Sequence, residues 1–239
     1  ILMSNIRLFH PENITENTTG LLSKEHTHYV VNVMRLKRGS NLNFFNENGE
    51  WLSEIIFLDR DRIEVKFLNK IKESSKKSNI ELAICLVKKN PMETILQKAT
   101  ELGVSIITPI ISERTEVKEL NYERAQKIVV EATEQSNQLN PPELSKVIKL
   151  KDFLEKLDNG SKFLFADVNS QNTLEKKDLE GDALKTILIG PEGDFSPSER
   201  ESILAKANTT SFSISKNILR SDTAVISAIS LVNYIHNDH

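Results

Sequence analysis

Residues 187–201, ILIGPEGDFSPSERE, run from an apolar stretch into a helix start through two of the 8 glycines in the chain. Gly190 and Gly193 flank Pro191 and Glu192, and a turn of that composition either reverses the chain or leaves main chain bare enough for a ligand to lie against it. A second unusual segment, SFSISKNILRSDTAVISAISLVNYI at residues 211–235, passes from a short strand through a polar loop into a helix. Several chemistries lack their usual support. GPEG is neither the G-x-G-x-x-G of a dinucleotide fold nor the G-x-x-x-x-G-K-[ST] of a phosphate loop, and no G-x-S-x-G elbow is present. His26 and His28 are the most closely spaced histidines, with no cysteine or H-E-x-x-H nearby, so no metal site is expected.

The elements that position these segments follow from periodicity. From Leu8 to about Ile71 short alternating runs are broken by NENG and DRD, the pattern of a small β-rich barrel or sandwich. KESSKKSN, residues 72–79, is polar and reads as a linker. Beyond it the grammar becomes strand and helix in turn. Apolar runs at 80–87, 104–111, 162–166 and 186–189, and a shorter one at 146–150, predict strands; PMETILQKATEL and NYERAQKIVVEATEQS predict amphipathic helices. That order implies an α/β domain with a mostly parallel sheet covered on both faces. Ser196, Pro197 and Glu199 form a capping-box signature, so GPEGDF is a strand-to-helix loop, at the strand end where ligands of open parallel sheets sit. Ser221 is expected to cap a last helix that is apolar almost all round. Such a helix is buried on most sides, here against the sheet and either a second subunit or the rest of a larger monomer.

Composition sets wider limits. At 239 residues, 38% hydrophobic and 27% charged, the chain is an ordinary globular one of one or two domains. Net charge is −3, yet residues 1–78 carry 12 Lys/Arg against 10 Asp/Glu and the remainder 19 against 24. The first third can therefore present a local phosphate-binding face. Cys85, the only cysteine, lies in an apolar run and reads as core. No run approaches the ~20 apolar residues of a membrane span and no signal-peptide pattern is seen, so a cytoplasmic location without a membrane partner is expected. Ile1 and Leu2, ahead of Met3, are set aside as foreign to the fold.

Five stretches then occur in a telling order: ATELGV (99–104), ERT (113–115), EATEQS (131–136), ILIGPEGDFSPSE (187–199) and NILRSDTA (217–224). Together they resemble the RsmE family, bacterial methyltransferases of the SPOUT class that modify N3 of one uridine, number 1498, of 16S ribosomal RNA in the small subunit. RLFH (7–10) and HYVVNVMRLKRGS (28–40) extend the resemblance over nearly the whole chain. It implies a PUA-like β-barrel RNA-binding domain at 3–72, a linker at 73–79 and a SPOUT methyltransferase domain at 80–239. It also implies a deep trefoil knot, an obligate homodimer and S-adenosylmethionine as cofactor, held among three loops.

The resemblance places those loops after FLFADV, at GPEG and around Ile214 to Leu219. It implies cofactor contacts from Ala166, Leu188, Gly190, Pro191, Glu192, Gly193, Ile214, Ser215, Ile218 and Leu219, with the two glycines making room for the cofactor. Arg220, followed by Arg114, is the expected catalytic cation, since negative charge spreading onto the uracil carbonyls needs preorganised donors. Arg7, Arg35, Lys37, Arg38 and Lys88 are the expected RNA contacts. The chain departs from the family at Asp194 and Ser215, where glycine is usual, and at Asn137 and Gln138, where Gly-Arg is usual. Two rival functions remain: a SPOUT-fold RNA-binding or ribosome-assembly protein without turnover, and a related SPOUT enzyme acting on another RNA.

Overall fold

A computed structural model describes residues 6–236. Ile1, Leu2 and Met3 lie outside the described residues. The chain divides into two compact units, one of residues 6–76 with Thr133–Asn140, the other of Lys77–Ala132 with 141–236.

In the first unit β1 (Arg7–Phe9), β2 (Thr19–Leu21), β3 (Asn41–Asn46), β4 (Gly49–Leu58) and β5 (Ile63–Glu73) form one sheet in the order β1-β3-β4-β5-β2. β1 is parallel to β3, and the other neighbours are antiparallel. Among the described residues no ladder joins β2 back to β1, so by hydrogen bonding the expected barrel is an open five-stranded sheet. Alternation sends Phe44, Trp51, Ile55, Val65 and Phe67 to one core. The short helix α1 (Lys24–His28) and a π-helical turn over Tyr29–Val33 add Val30 to that core.

The eight residues 133–140 were not part of the first domain expected from the sequence, and Arg7 explains why they join it. Its Nε donates to Glu50 Oε2 at 3.1 Å, while its two Nη groups donate to the carbonyls of Thr133, Glu134 and Gln138 at 3.3, 3.0 and 2.8 Å. The guanidinium also stacks 4.3 Å from the centre of the Phe45 ring. Glu50 is satisfied on its other oxygen by Asn43 Nδ2 at 2.8 Å, and the Phe9 N–H donates to Glu134 Oε1 at 2.9 Å.

The second unit is built on a seven-stranded parallel sheet. Its elements are β6 (Ile80–Cys85), α2 (Lys89–Glu101), β7 (Ile106–Ile111), α3 (Tyr122–Gln135, whose last turn falls in the first unit), β8 (Glu143–Leu144), β9 (Ile148–Lys149), α4 (Leu150–Lys156), β10 (Lys162–Ala166), α5 (Lys176–Leu179), β11 (Lys185–Ile189), α6 (Pro197–Leu204), β12 (Thr209–Phe212) and α7 (Ser221–His236). Strand order is β12-β10-β11-β6-β7-β8, with β9 also on β7. The strand expected at 146–150 is only two residues long, because Leu150 turns inward as the first residue of α4. Ser221 is likewise inside the last helix rather than ahead of it, the Arg220 carbonyl accepting from the Ala224 N–H.

Strand parity divides the core. Leu82, Ile84, Ile187 and Ile189 face α2, α3 and α7, while Ala83, Cys85, Leu188 and Phe165 face α4 and α6. Cys85 is fully buried, and burial pushes its thiol up to about 12, so it is inert packing rather than a nucleophile.

Arg7→Met should lower unfolding stability by about 3–5 kcal/mol, since it leaves Glu50 buried without its cation and three carbonyls without donors. Urea denaturation measures this; unchanged stability would mean that Arg7 is not the anchor of residues 133–140.

Candidate functional site

Parallel pairing brings three loops to one edge of the sheet. β10 is flanked by β11 and β12, with Phe165 opposite Leu188 and Ala166 opposite Phe212, so the carboxyl ends of all three strands are level. Two strand spacings separate the outer pair, about 10 Å. The loops that follow, 167–175, 190–196 and 213–220, therefore emerge side by side, and the ERT segment after β7 emerges near them.

Hydrogen bonds tie the four segments together. Arg114 Nη1 donates to the Gly193 carbonyl at 2.8 Å, so one of its five donors holds the GPEG loop and the others remain free of that bond. The Ser213 N–H donates to Asn172 O at 2.9 Å, and Asn169 Nδ2 reaches Asp194 Oδ2 at 3.5 Å. The capping box forms as expected: Ser196 Oγ accepts from the Glu199 N–H at 3.3 Å, and Glu199 Oε2 accepts from the Ser196 N–H at 3.1 Å. Glu199 Oε1 also accepts from the Glu113 N–H at 2.8 Å, which couples the ERT segment to the start of α6.

The predicted cofactor residues differ in how they are exposed at this edge. Pro191 is half-buried, Glu192 and Gly193 are exposed, and Ile218 is 93% exposed in the last loop. Ala166 and Ile214 pack partly on the core below, with Ser215 and Leu219 half-buried beside them. The Leu188 side chain is fully buried between the sheet and α6, on the face that strand parity gives it, so at this edge it presents only main chain.

The two glycines also differ. A Cβ on Gly190 would stand 3.0 Å from the Phe195 ring, so a side chain there would crowd the chain's own packing. A Cβ on Gly193 would meet Arg114 at an ordinary 3.8 Å. Asp194, where a glycine was expected, has φ +58°, and its own Oδ1 accepts the Phe195 N–H at 2.8 Å, which supports the left-handed turn. Ser215 has no positive φ, so its backbone admits a side chain.

Among the expected RNA contacts, Arg35, Lys37 and Arg38 are exposed on the first unit, and Lys88 is exposed at the start of α2 with Glu116 4.0 Å away. Arg7 is a correction to the sequence reading. It is 8% exposed and committed to Glu50 and three carbonyls, which leaves it no phosphate to meet. Arg220 is exposed, and its guanidinium has no partner among the described residues.

Sequence reasoning missed Asp167, the first residue past β10. Its side chain is wholly buried, yet it is ionised: burial would raise its carboxyl, but hydrogen bonds from Arg200, Asn169 and Ser211 and the Arg200 charge hold it below the usual carboxylate value. The pairing is fully present above the unfolded value near ~4 and is lost only as pH falls through the lowered one. The acid in FLFADV and the arginine after SPSE were visible as residues, but nothing in their spacing, 33 positions apart, marked them as a pair.

A separate cavity of about 640 Å³ opens between α4 and α6, over Ile111, Leu150 and Leu154; no expected cofactor residue lines it. Among the described residues no group of three or more His, Cys, Asp or Glu is arranged to hold a metal, and no helix is long and apolar enough to cross a membrane.

An α/β unit with clustered loops in one chain with a small β-rich unit defines a class that comparison makes specific. Residues 72–233 match the RNA methyltransferase domain family and residues 22–68 the RNA methyltransferase PUA domain family. Ribosomal RNA small subunit methyltransferase E of Rickettsia conorii is 34% identical over 96% of this chain and 95% of its own. The crystal structure of the Neisseria gonorrhoeae ribosomal RNA small subunit methyltransferase E bound to S-adenosyl methionine superposes with a TM-score of 0.87 at 27% identity, covering 97% of this chain and 98% of the other. A Legionella pneumophila methyltransferase with bound SAM gives 0.85 at 28% identity over 96% and 97%. The chain belongs to the RsmE family of RNA methyltransferases.

The two glycines provide a direct check of this geometry. Gly190→Ala should lose about 1–3 kcal/mol by crowding Phe195, whereas Gly193→Ala should stay within about 0.5 kcal/mol. Equal losses in urea denaturation would contradict the loop as described.

Proposed function

We propose that this protein methylates N3 of one uridine, 1498, of 16S ribosomal RNA in the small ribosomal subunit, using S-adenosylmethionine. The observation that carries the reading is the level emergence of three loops, one of them GPEG, from neighbouring parallel strands in a chain of this family. The residues present suit the cofactor. An adenine needs apolar walls and exposed main-chain groups for its polar edge; Ile214, Ile218 and Leu219 offer the first, and the main chain around Glu192 and Gly193 offers the second. When bound, S-adenosylmethionine supplies a methyl group on a positively charged sulfur.

The remaining work falls to the chain's own side chains. Uracil N3–H is weakly acidic, so its loss is eased by cations that stabilise charge on the base carbonyls. The unpartnered guanidinium of Arg220 stands just before the N-terminus of the 16-residue α7, where the helix dipole adds to its positive potential. Arg114 keeps the GPEG loop in place through Gly193 and has donors left for the substrate. Arg35, Lys37 and Arg38 bind phosphates and position the RNA, with Lys88 a further contact.

A homodimer belongs to the same reading. On α7 Tyr234 is 70% exposed and Ala224, Ile226, Leu231 and Ile235 are only partly covered, an apolar surface suited to a second copy. A deep trefoil knot in the second unit and a cytoplasmic location complete the proposal.

Nucleoside mass spectrometry of small-subunit RNA from cells lacking the gene should show loss of N3-methyluridine; its retention would refute the assignment. Arg220→Ala should slow methyl transfer by about 10²–10³-fold with little change in S-adenosylmethionine affinity. An unchanged turnover rate would remove Arg220 from the chemistry.

A further inference from the structure

We propose that Asp167 is the positioning residue of the methyl-donor crevice, acting through Arg200 and Ser211 to hold the flanking segments at the spacing the donor needs; this rests on the reading above that the donor binds there. The geometry is specific. Asp167 Oδ1 accepts the Asn169 N–H at 2.9 Å, within its own loop. Oδ2 accepts Arg200 Nη2 at 2.7 Å, Arg200 Nε at 3.1 Å and Ser211 Oγ at 3.2 Å. The main chain of the same residue adds two more links, its N–H to Phe212 O at 2.9 Å and its carbonyl to the Ser170 N–H at 3.1 Å.

One carboxylate thus joins the loop after β10, the end of β12 and, through Arg200, the helix that begins where the GPEG loop ends. No apolar residue could gather these groups, and an amide could do so only in part. Asparagine has a single acceptor oxygen, so Asp167→Asn must turn its NH2 either toward the Asn169 N–H or toward the donors of Arg200 and Ser211. Either way one side of the crevice is released. Donor binding must then reorder what the wild type holds in place, and the cost appears as weaker affinity.

The test is calorimetric titration of full-length wild type, Asp167→Asn, Arg200→Lys and Ser211→Ala with S-adenosylmethionine, alongside thermal melts without it and steady-state methylation. Asp167→Asn should weaken donor affinity about 10- to 100-fold, raise KM for the donor in step, and leave kcat at saturation within about threefold, because Asp167 touches no reacting atom. Arg200→Lys, which keeps the charge but loses the fork, should fall between Asp167→Asn and wild type. A folded Asp167→Asn that melts lower but binds the donor as tightly as wild type overturns the proposal and leaves the assigned function standing. If Asp167→Asn does not fold, a folded Arg200→Lys of wild-type affinity overturns it equally. Wild type that binds no donor overturns the function and this inference together.

Discussion

Hydrogen bonding of β10 to β11 on one side and β12 on the other, all three parallel, is the constraint on which the rest of the site depends. Parallel strands have to be joined by crossovers, so each strand's carboxyl end opens into a loop at the same edge. Because the pairs Phe165–Leu188 and Ala166–Phe212 are in register, these loops start at one level. A one-residue slip in either ladder would exchange the two faces of a strand. Phe163 and Phe165 would leave the α4/α6 core, and Asp167 would lose its place between the loops.

Each unit spends an ion pair with a buried carboxylate at the point where remote segments meet. Arg7 and Glu50 gather residues 133–140 in the first unit, and Asp167 and Arg200 gather the loops of the second. Buried pairs are poor sources of net stability, because desolvation cancels much of their attraction. Their worth here is in geometry: the forked guanidinium accepts only one arrangement of its partners. The exposed cations behave differently. Arg35, Lys37, Arg38 and Arg220 are exposed and lack such partners among the described residues, so their charge faces solvent.

Much of the fold is legible in the sequence, since alternation and helical spacing report burial on one face directly. Strands at 80–85, 106–111, 162–166 and 185–189 and helices at 89–101 and 122–135 lie where periodicity puts them. Periodicity is silent on which segments meet. The joining of residues 133–140 to the first unit depends on an arginine 126 residues away, and the Asp167–Arg200 pair on a crossover. Leu188 shows a related limit: a motif marks a strand as leading into the loops, while parity decides which face of the sheet each side chain packs on. Gly190 shows the same limit, because the crowding a side chain would meet there comes from Phe195 five residues on.

The departures from the family pattern fall into two physical kinds. Asn137 and Asp194 stand where glycine is usual and have φ of +60° and +58°. Asparagine and aspartate are the side chains that enter this region at least strain, and Asp194 adds a bond to the next N–H, so the backbone path survives both replacements. Gln138 is different, for it stands in place of a cation and its side chain carries no charge to replace it. Yet Arg7 uses only the carbonyl of residue 138, which any residue supplies. The hold of Arg7 on position 138 is therefore independent of the side chain there, while Glu134 anchors the same segment through its carboxylate; the charge of the family's arginine has no counterpart at 138.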